Sequence, residues 1–263
     1  MSVLDAFSLR GKVVLVTGGA GLYGRQIVKA MAEAGARTYI ASRNLDALEE
    51  LATEHRALGH DVRALRLDQT SESSIAEARA LDTGAMATIE GYVSVPPGAF
   101  QSAMDDQGFA LQDSSSGVYV KMTEKQTFGL GAKVRVTGTL DEQNKLRILK
   151  ADPTGVKVLS GTQDVSPKTV GTGAVTESVE GQLIKVSGNV SQTFTDDAPY
   201  GYKFYINDGS GEIQVFAHIS AGFDKAALQA LTMGQAVTIV GFGAQYETTY
   251  ELAPRKQADI TLK

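Results

Sequence analysis

Residues 13–24 read VVLVTGGAGLYG. Four apolar residues, Val13 to Val16, run into the turn Thr17-Gly18-Gly19-Ala20-Gly21-Leu22-Tyr23-Gly24, and Ile27, Val28, Met31 and Ala32 then recur at helical spacing. The stretch predicts a strand, a tight turn and a helix. Glycines suit such a turn for mechanical reasons: one permits the sharp bend, one lets the backbone approach a pyrophosphate, and one lets the helix pack closely on its strand. The helix N-terminus then offers unpaired N–H groups and the positive end of a dipole to the phosphates.

Working outward, Gly35 is placed to close the helix, and a second strand from Thr38 to Ala41 leads into Ser42-Arg43-Asn44. A second helix is expected over Leu45 to Leu58, ended by Gly59, and a third strand over Val62 to Leu67, followed by Asp68. From Leu9 to about Ile75 the chain resembles the β-α-β-α-β opening of a short-chain dehydrogenase/reductase. Thr17, Gly18, Gly21 and Gly24 match the T-G-x-x-G-x-x-G form of that family's glycine motif; Leu22 stands where a variant form has its middle glycine. The resemblance implies a Rossmann-like half domain and the cofactor NADP(H). An acid ending the second strand favours NAD in that family, whereas Ser42 followed by Arg43 suits the extra 2′-phosphate of NADP. Asp68 falls where the family places an acid against the adenine amino group. The implied cofactor-binding residues are Thr17, Gly18, Gly21, Leu22, Gly24, Ser42, Arg43 and Asp68; the alternative is a relic half that binds nothing.

Catalysis is a separate question. The family's chemistry needs a Tyr-x-x-x-Lys pair, in which the lysine lowers the tyrosine pKa for proton exchange with the substrate oxygen. None of the nine tyrosines has a lysine four residues on, and no Asn-Asn-Ala-Gly segment follows the third strand. No catalytic residue is assigned. The leading expectation is a non-catalytic binding protein; the alternative is an NADP-dependent oxidoreductase of this family whose remaining part comes from a partner chain. Three strands alone would also leave Val13–Val16 as an unpaired apolar edge, so a homo-oligomer through that strand, or cover from a later part of the chain, is expected.

From Thr88 onward short alternating strands replace helical spacing. TIEGYVS (88–94) matches KVSGNVS (185–191), QGFALQDSSSGVYV (107–120) matches YKFYINDGSGEIQV (202–215), and LGAKVRVTGTL (130–140) matches MGQAVTIVGFG (233–243). A period of about a hundred residues suits two whole small domains. Each copy offers about five strands, a Gly-containing second hairpin and a short helical segment before the fourth strand, clearest over Ala226 to Leu231. This resembles the oligonucleotide/oligosaccharide-binding (OB) fold, a five-stranded Greek-key barrel. The fold class is thus a Rossmann-like α/β half domain followed by an all-β region of two tandem OB-like five-stranded barrels. The domain limits are 1–76 for the NADP-binding half, 77–159 for barrel 1, 160–182 for a connector and 183–263 for barrel 2.

Alternation predicts Phe109, Leu111, Phe204 and Ile206 inside the barrels, with Ala110, Tyr119, Lys121, Tyr205, Gln214 and Phe216 outside. Exposed aromatics beside cations are how such barrels stack the bases of single-stranded nucleic acid. Tyr119, Lys121, Lys133 and Arg135 in the first copy, with Lys203, Tyr205 and Phe216 in the second, are the candidate ligand-binding residues, for single-stranded nucleic acid, a glycan or another protein. The competing reading is that these aromatics form a contact between the barrels. Charge bears on the choice. The net charge is -5, and neither residues 1–82 (10 Lys+Arg, 11 Asp+Glu) nor residues 83–263 (15 and 19) are basic. Nucleic-acid affinity, which comes chiefly from phosphate neutralisation, would need a local patch.

Other chemistry finds little support. His55, His60 and His218 are read as ordinary surface residues, not a metal site. Asp105-Asp106 and Asp196-Asp197 occupy equivalent loops of the two copies, where solvation is favoured over calcium. No cysteine is present, which excludes disulfides and thiolate chemistry. The start lacks a basic, apolar leader, and no stretch approaches a membrane span, so a soluble cytoplasmic chain is expected.

Overall fold

The computed structural model describes residues 7–42, 44–66 and 74–263. The chain divides into two compact units, Met1–Ser71 and Glu72–Lys263. In the first, β1 (Val13–Thr17), α1 (Leu22–Glu33), β2 (Arg37–Ser42), α2 (Leu45–Ala57) and β3 (Val62–Arg66) alternate along the chain. The three strands are parallel and lie in the order β1-β2-β3. Parallel neighbours need a crossover, and each helix supplies one. Strand β2 is central because Ile40, fully buried, meets Val28 of α1 and Leu48 of α2 in one core with Val16, Ala32, Leu51, Ala52 and Val62. Asn44 begins α2 by accepting the Ala47 N–H at 3.2 Å, a cap that satisfies one orphan donor.

The outer edge of β1 pairs with no strand among the described residues. Its side chains split accordingly: Val16 is buried, while Val13 and Leu15 on the opposite face are 65% and 57% exposed. An all-parallel sheet is normally covered on both faces, so this unit leaves uncovered the apolar strand that the sequence marks as an edge.

The second unit starts with α3 (Ile75–Arg79), whose Ile75 enters the first β core. Five strands follow: β4 (Met86–Val95), β5 (Phe109–Gln112), β6 (Gly117–Lys121), β7 (Ala132–Gln143) and β8 (Leu146–Lys150), with β9 (Val156–Thr162) added at the margin. They pair in the order β4-β5-β6-β8-β7, and β7 also pairs with β4, so the ladder closes on itself. After β10 (Lys168–Thr169) the pattern repeats. β11 (Leu183–Asp197), β12 (Gly201–Asn207), β13 (Glu212–His218), α4 (Lys225–Gln229), β14 (Ala236–Tyr246) and β15 (Thr249–Ala253) lead to β16 (Ile260–Leu262). Here the order is β11-β12-β13-β15-β14 with β14 returning to β11. In both copies the third and fifth strands are the parallel pair, β6 with β8 and β13 with β15. The internal sequence repeat is therefore a repeat of topology.

The second hairpin shows how the repeat is encoded. In QDSSSG, Asp113 accepts the N–H groups of Ser115 and Ser116 and also that of Ile75 at 2.8 Å. In NDGSG, Asp208 accepts the N–H of Ser210 and that of Thr172 at 3.1 Å. One aspartate per copy thus shapes its turn and ties down the segment that precedes the first strand. Within 160–182, Thr172, Val175 and Val179 are buried, the two valines in the second core.

Candidate functional site

The turn after β1 is built by backbone geometry. Gly18 has φ +69°, a left-handed conformation that costs glycine nothing. Its N–H donates to Ala41 O at 2.8 Å, and its carbonyl accepts the Gly21 N–H at 2.9 Å. Gly21 is the N-cap of α1 and brings no capping side chain. At Gly24 a Cβ would collide with the Gly18 carbonyl and stand 2.9 Å from Gly19 Cα. The helix can meet the turn only because position 24 has no side chain.

A donor-lined surface results. The first N–H groups of a helix have no intrahelical partner, and those of Leu22, Tyr23 and Gly24 donate to nothing among the described residues. No acidic residue lies in the first turn of α1, so no carboxylate of that turn opposes an anion. Leu22 and Tyr23 are 82% and 81% exposed. Arg25, not foreseen from the sequence, braces the turn by donating from Nε to Ala20 O at 3.2 Å.

Thr17 closes β1 and Ser42 closes β2; Thr17 pairs in register with Ala41, which places both residues at the same C-terminal edge of the sheet. That edge, at the carboxyl ends of parallel strands, is where α/β sheets bind ligands. Ser42 Oγ donates to Asn44 O at 3.3 Å. Of the eight expected cofactor contacts, the structure brings together Thr17, Gly18, Gly21, Leu22, Gly24 and Ser42. Arg43 and Asp68 lie outside the described residues.

The candidate residues of the β region fare differently. Tyr119 was expected on an outer face, yet it is fully buried and its hydroxyl donates to Phe100 O at 2.9 Å. Alternation is obeyed, since Val118 and Val120 face the first core, but the other face of β6 meets the second copy. Tyr119 packs with Val95, Phe100, Ala110, Ile148, Phe242 and Ala253 in a cluster drawn from both ladders. Ala110 is likewise buried, and Phe216 is only 8% exposed. Tyr119 and Phe216 therefore cannot stack on bases as open platforms, and for Tyr119 the contact between copies is the correct reading.

The cations are engaged as well. Lys121 donates to Gln143 Oε1 at 2.7 Å. Lys133 and Arg135 both bind Glu90, at 2.9 and 2.6 Å. Burial works against the Glu90 carboxylate, but these two partners outweigh it and hold its pKa below the ordinary range. Lys203 binds Asp197 at 2.7 Å and lies over the Phe216 ring, and the half-buried Tyr205 donates to Gln214 Oε1 at 2.9 Å.

Two further expectations need correction. Asp106 is not a solvated loop residue: it is buried and accepts from Ser102 N and Oγ and from Gly108 N. His55 is buried too, with its Nδ1 3.3 Å from that of His60. Among the described residues no group of three His, Cys, Asp or Glu is placed to hold a metal ion, and no helix is long and apolar enough to cross a membrane.

Against known proteins, residues 12–91 match the short chain dehydrogenase family model. Over 67 residues the chain is 42% identical to the rhamnolipids biosynthesis 3-oxoacyl-(acyl-carrier-protein) reductase of Pseudomonas aeruginosa, covering 26% of each protein. Over 97 residues it is 36% identical to the 2,5-dichloro-2,5-cyclohexadiene-1,4-diol dehydrogenase LinX of Sphingobium indicum, covering 35% of this chain and 39% of that one. The chain thus spans between a quarter and two fifths of the length of these relatives. Among solved structures, the RhlG/NADP active-site complex of Pseudomonas aeruginosa matches 28% of this chain at 42% identity with a TM-score of 0.24. The family similarity is to short-chain dehydrogenases and lies in the N-terminal region.

Proposed function

We propose that the first unit binds NADP(H) and serves as the nucleotide-binding part of a short-chain dehydrogenase/reductase-type oxidoreductase. The observation that carries this reading is the turn from Thr17 to Gly24, where Gly18 takes a left-handed conformation and Gly24, lacking a Cβ, lets the first turn of the helix close on the turn that follows the strand. Thr17, Gly18, Gly21, Leu22 and Gly24 would hold the pyrophosphate, Ser42 and Arg43 the ribose with its 2′-phosphate, and Asp68 the adenine amino group. When bound, NADP(H) donates or accepts a hydride. The residues of this unit bind and orient its adenosine side. The relatives are a reductase and a dehydrogenase by name, which supports an oxidoreductase over a purely non-catalytic binder. The chain has no Tyr-x-x-x-Lys pair, so proton exchange with a substrate falls to a group outside that motif, with a partner chain as its source.

Fluorescence titration tests the cofactor. NADPH is expected to saturate with a dissociation constant below about 1 mM, and Arg43→Ala to weaken NADPH by about tenfold while leaving NADH unchanged. No saturable NADPH signal at about 1 mM would remove the proposal.

A second reading concerns the β region, which we take as two OB-type barrels with limits near 77–159 and 183–263. Its support is the shared strand order, with closure of the first strand on the fourth and a parallel third and fifth in each copy. Deleting residues 236–263 should then abolish the second ladder's cooperative unfolding; a surviving native-like transition would refute the closed arrangement.

A further inference from the structure

Between the two ladders lies a cleft of about 730 Å³, a size that suits a small molecule. One wall is the 100–107 loop with the β7–β8 turn of the first copy, and the other is formed by β12, β13 and β15 of the second. Neither the glycine-rich turn nor the proposed oxidoreductase chemistry involves it.

Glu251 on β15 lines this cleft and is only 5% exposed. Its Oε2 accepts Gln214 Nε2 at 2.8 Å, and Gln214 is oriented in turn by the Tyr205 hydroxyl. Its Oε1 accepts no hydrogen bond among the described residues. A buried carboxylate held by one neutral amide is short of a counter-charge, and burial accordingly pushes its pKa up to about 7. The charged groups facing it are Lys203 and Asp197, and these neutralise each other at 2.7 Å. His218, on the neighbouring β13, is kept uncharged because burial lowers its pKa to about 4.

The remaining lining points the same way. Asp105, Asp197 and Glu251 are the lining carboxylates and Lys203 is the lone lining lysine or arginine, which leaves the cleft negative once Glu251 ionises. Rings of Tyr200 and Tyr246 line it as well, and aromatic faces attract cations, weakly at exposed sites such as these; the Phe216 ring already carries Lys203. An anionic ligand would meet uncompensated carboxylates.

We propose that this cleft binds a small organic cation, an ammonium or guanidinium on a short carbon stem, with Glu251 as its counter-charge. Binding draws on the ionised carboxylate, so it strengthens as pH rises through the range in which Glu251 loses its proton and weakens as pH falls below it.

Isothermal titration of the full chain with agmatine tests this. Affinity is expected to fall by about tenfold or more between about pH 8 and about pH 5.5. At about pH 8, Glu251→Gln should cost a similar factor. The glutamine keeps a carbonyl oxygen for Gln214 and removes the buried charge, so the variant is expected to fold, and its near-ultraviolet circular dichroism checks that. Maltotriose and succinate serve as neutral and anionic probes. The proposal is overturned if agmatine does not bind, if it binds a folded Glu251→Gln variant equally well, or if either of the other two probes binds more tightly.

Discussion

Gly24→Ala sets two measurable effects against each other. Alanine is the better helix former by about 1 kcal/mol, so propensity alone predicts a stabilised α1. Geometry predicts the reverse. The new Cβ would press on the Gly18 carbonyl and lie 2.9 Å from both Gly18 C and Gly19 Cα, where relaxed carbon contacts need roughly 3.5–4.0 Å. The turn must retreat by about 0.6–1 Å, and overpacking of this kind costs about 1–3 kcal/mol. The obstacle is backbone, which cannot rotate aside as a flexible side chain would. That rigidity puts the cost in the upper part of the range, about 2–3 kcal/mol, and setting the propensity gain of about 1 kcal/mol against it leaves an expected net loss of about 1–2 kcal/mol in the first unit. The same retreat spoils the N–H cradle, and a 1.4 kcal/mol penalty there corresponds to about a tenfold loss of NADPH affinity. Chemical denaturation followed by far-ultraviolet circular dichroism, with NADPH titration of the same variant, measures both. An unchanged or raised midpoint would show that the close approach of helix and turn does not constrain position 24.

The β region gives a second test: Tyr119→Phe removes the bond to Phe100 O and should cost about 1 kcal/mol, whereas Tyr119→Ala leaves a cavity worth about 3–5 kcal/mol. A Tyr119→Ala loss within about 0.5 kcal/mol, the range of a surface site, would contradict its burial. Hydrogen bonds from Ser210 and Thr172 hold Asp208 well below the usual carboxylate range, and Asp113 is held low despite burial by the backbone N–H groups of Ile75, Ser115 and Ser116. A depressed folded-state pKa contributes stability that is present above the unfolded value and lost as pH falls through the folded one. Acid denaturation should therefore steepen below about pH 4, and Asp113→Asn with Asp208→Asn should flatten it; an unchanged profile in the double variant would refute this assignment. For the open strand edge, Leu15→Lys should shift stability by no more than about 0.5 kcal/mol, because the side chain is largely in solvent, while reducing self-association in sedimentation velocity; a wild-type chain that stays monomeric at all concentrations would count against pairing through β1.

Local rules carried the first unit well. The glycine turn, the two helices and the three strands follow from periodicity and from residues that bend or stop the chain, so β2 departs from its expected range by one residue at each end and β3 begins where expected, at Val62. The repeat also exposed the strand succession of the second unit. What stayed hidden was long-range. Alternation places Tyr119 opposite Val118 and Val120 but cannot say whether that side meets water or another sheet, and Phe100 and Phe242, which enclose it, lie far away in sequence. The ionic junction of Glu180 with Arg79 at 2.9 Å and with the Arg147 N–H at 3.1 Å joins segments as much as 101 residues apart, with no local pattern to announce it. Glu251 was invisible for the same reason: a glutamate in a Tyr-Glu-Leu-Ala strand reads as a solvated side chain, whereas in the fold it is buried against Gln214 of the paired strand, 37 residues away.

The shared aromatic cluster makes the burial of each copy's wall depend on the other. Each module covers an outer wall of the other, so excising either by a protease or a gene break would bare Tyr119 and Phe100 on one fragment and Phe242 on its sibling. Their partnership is an obligation, and selection acts on the pair as one object.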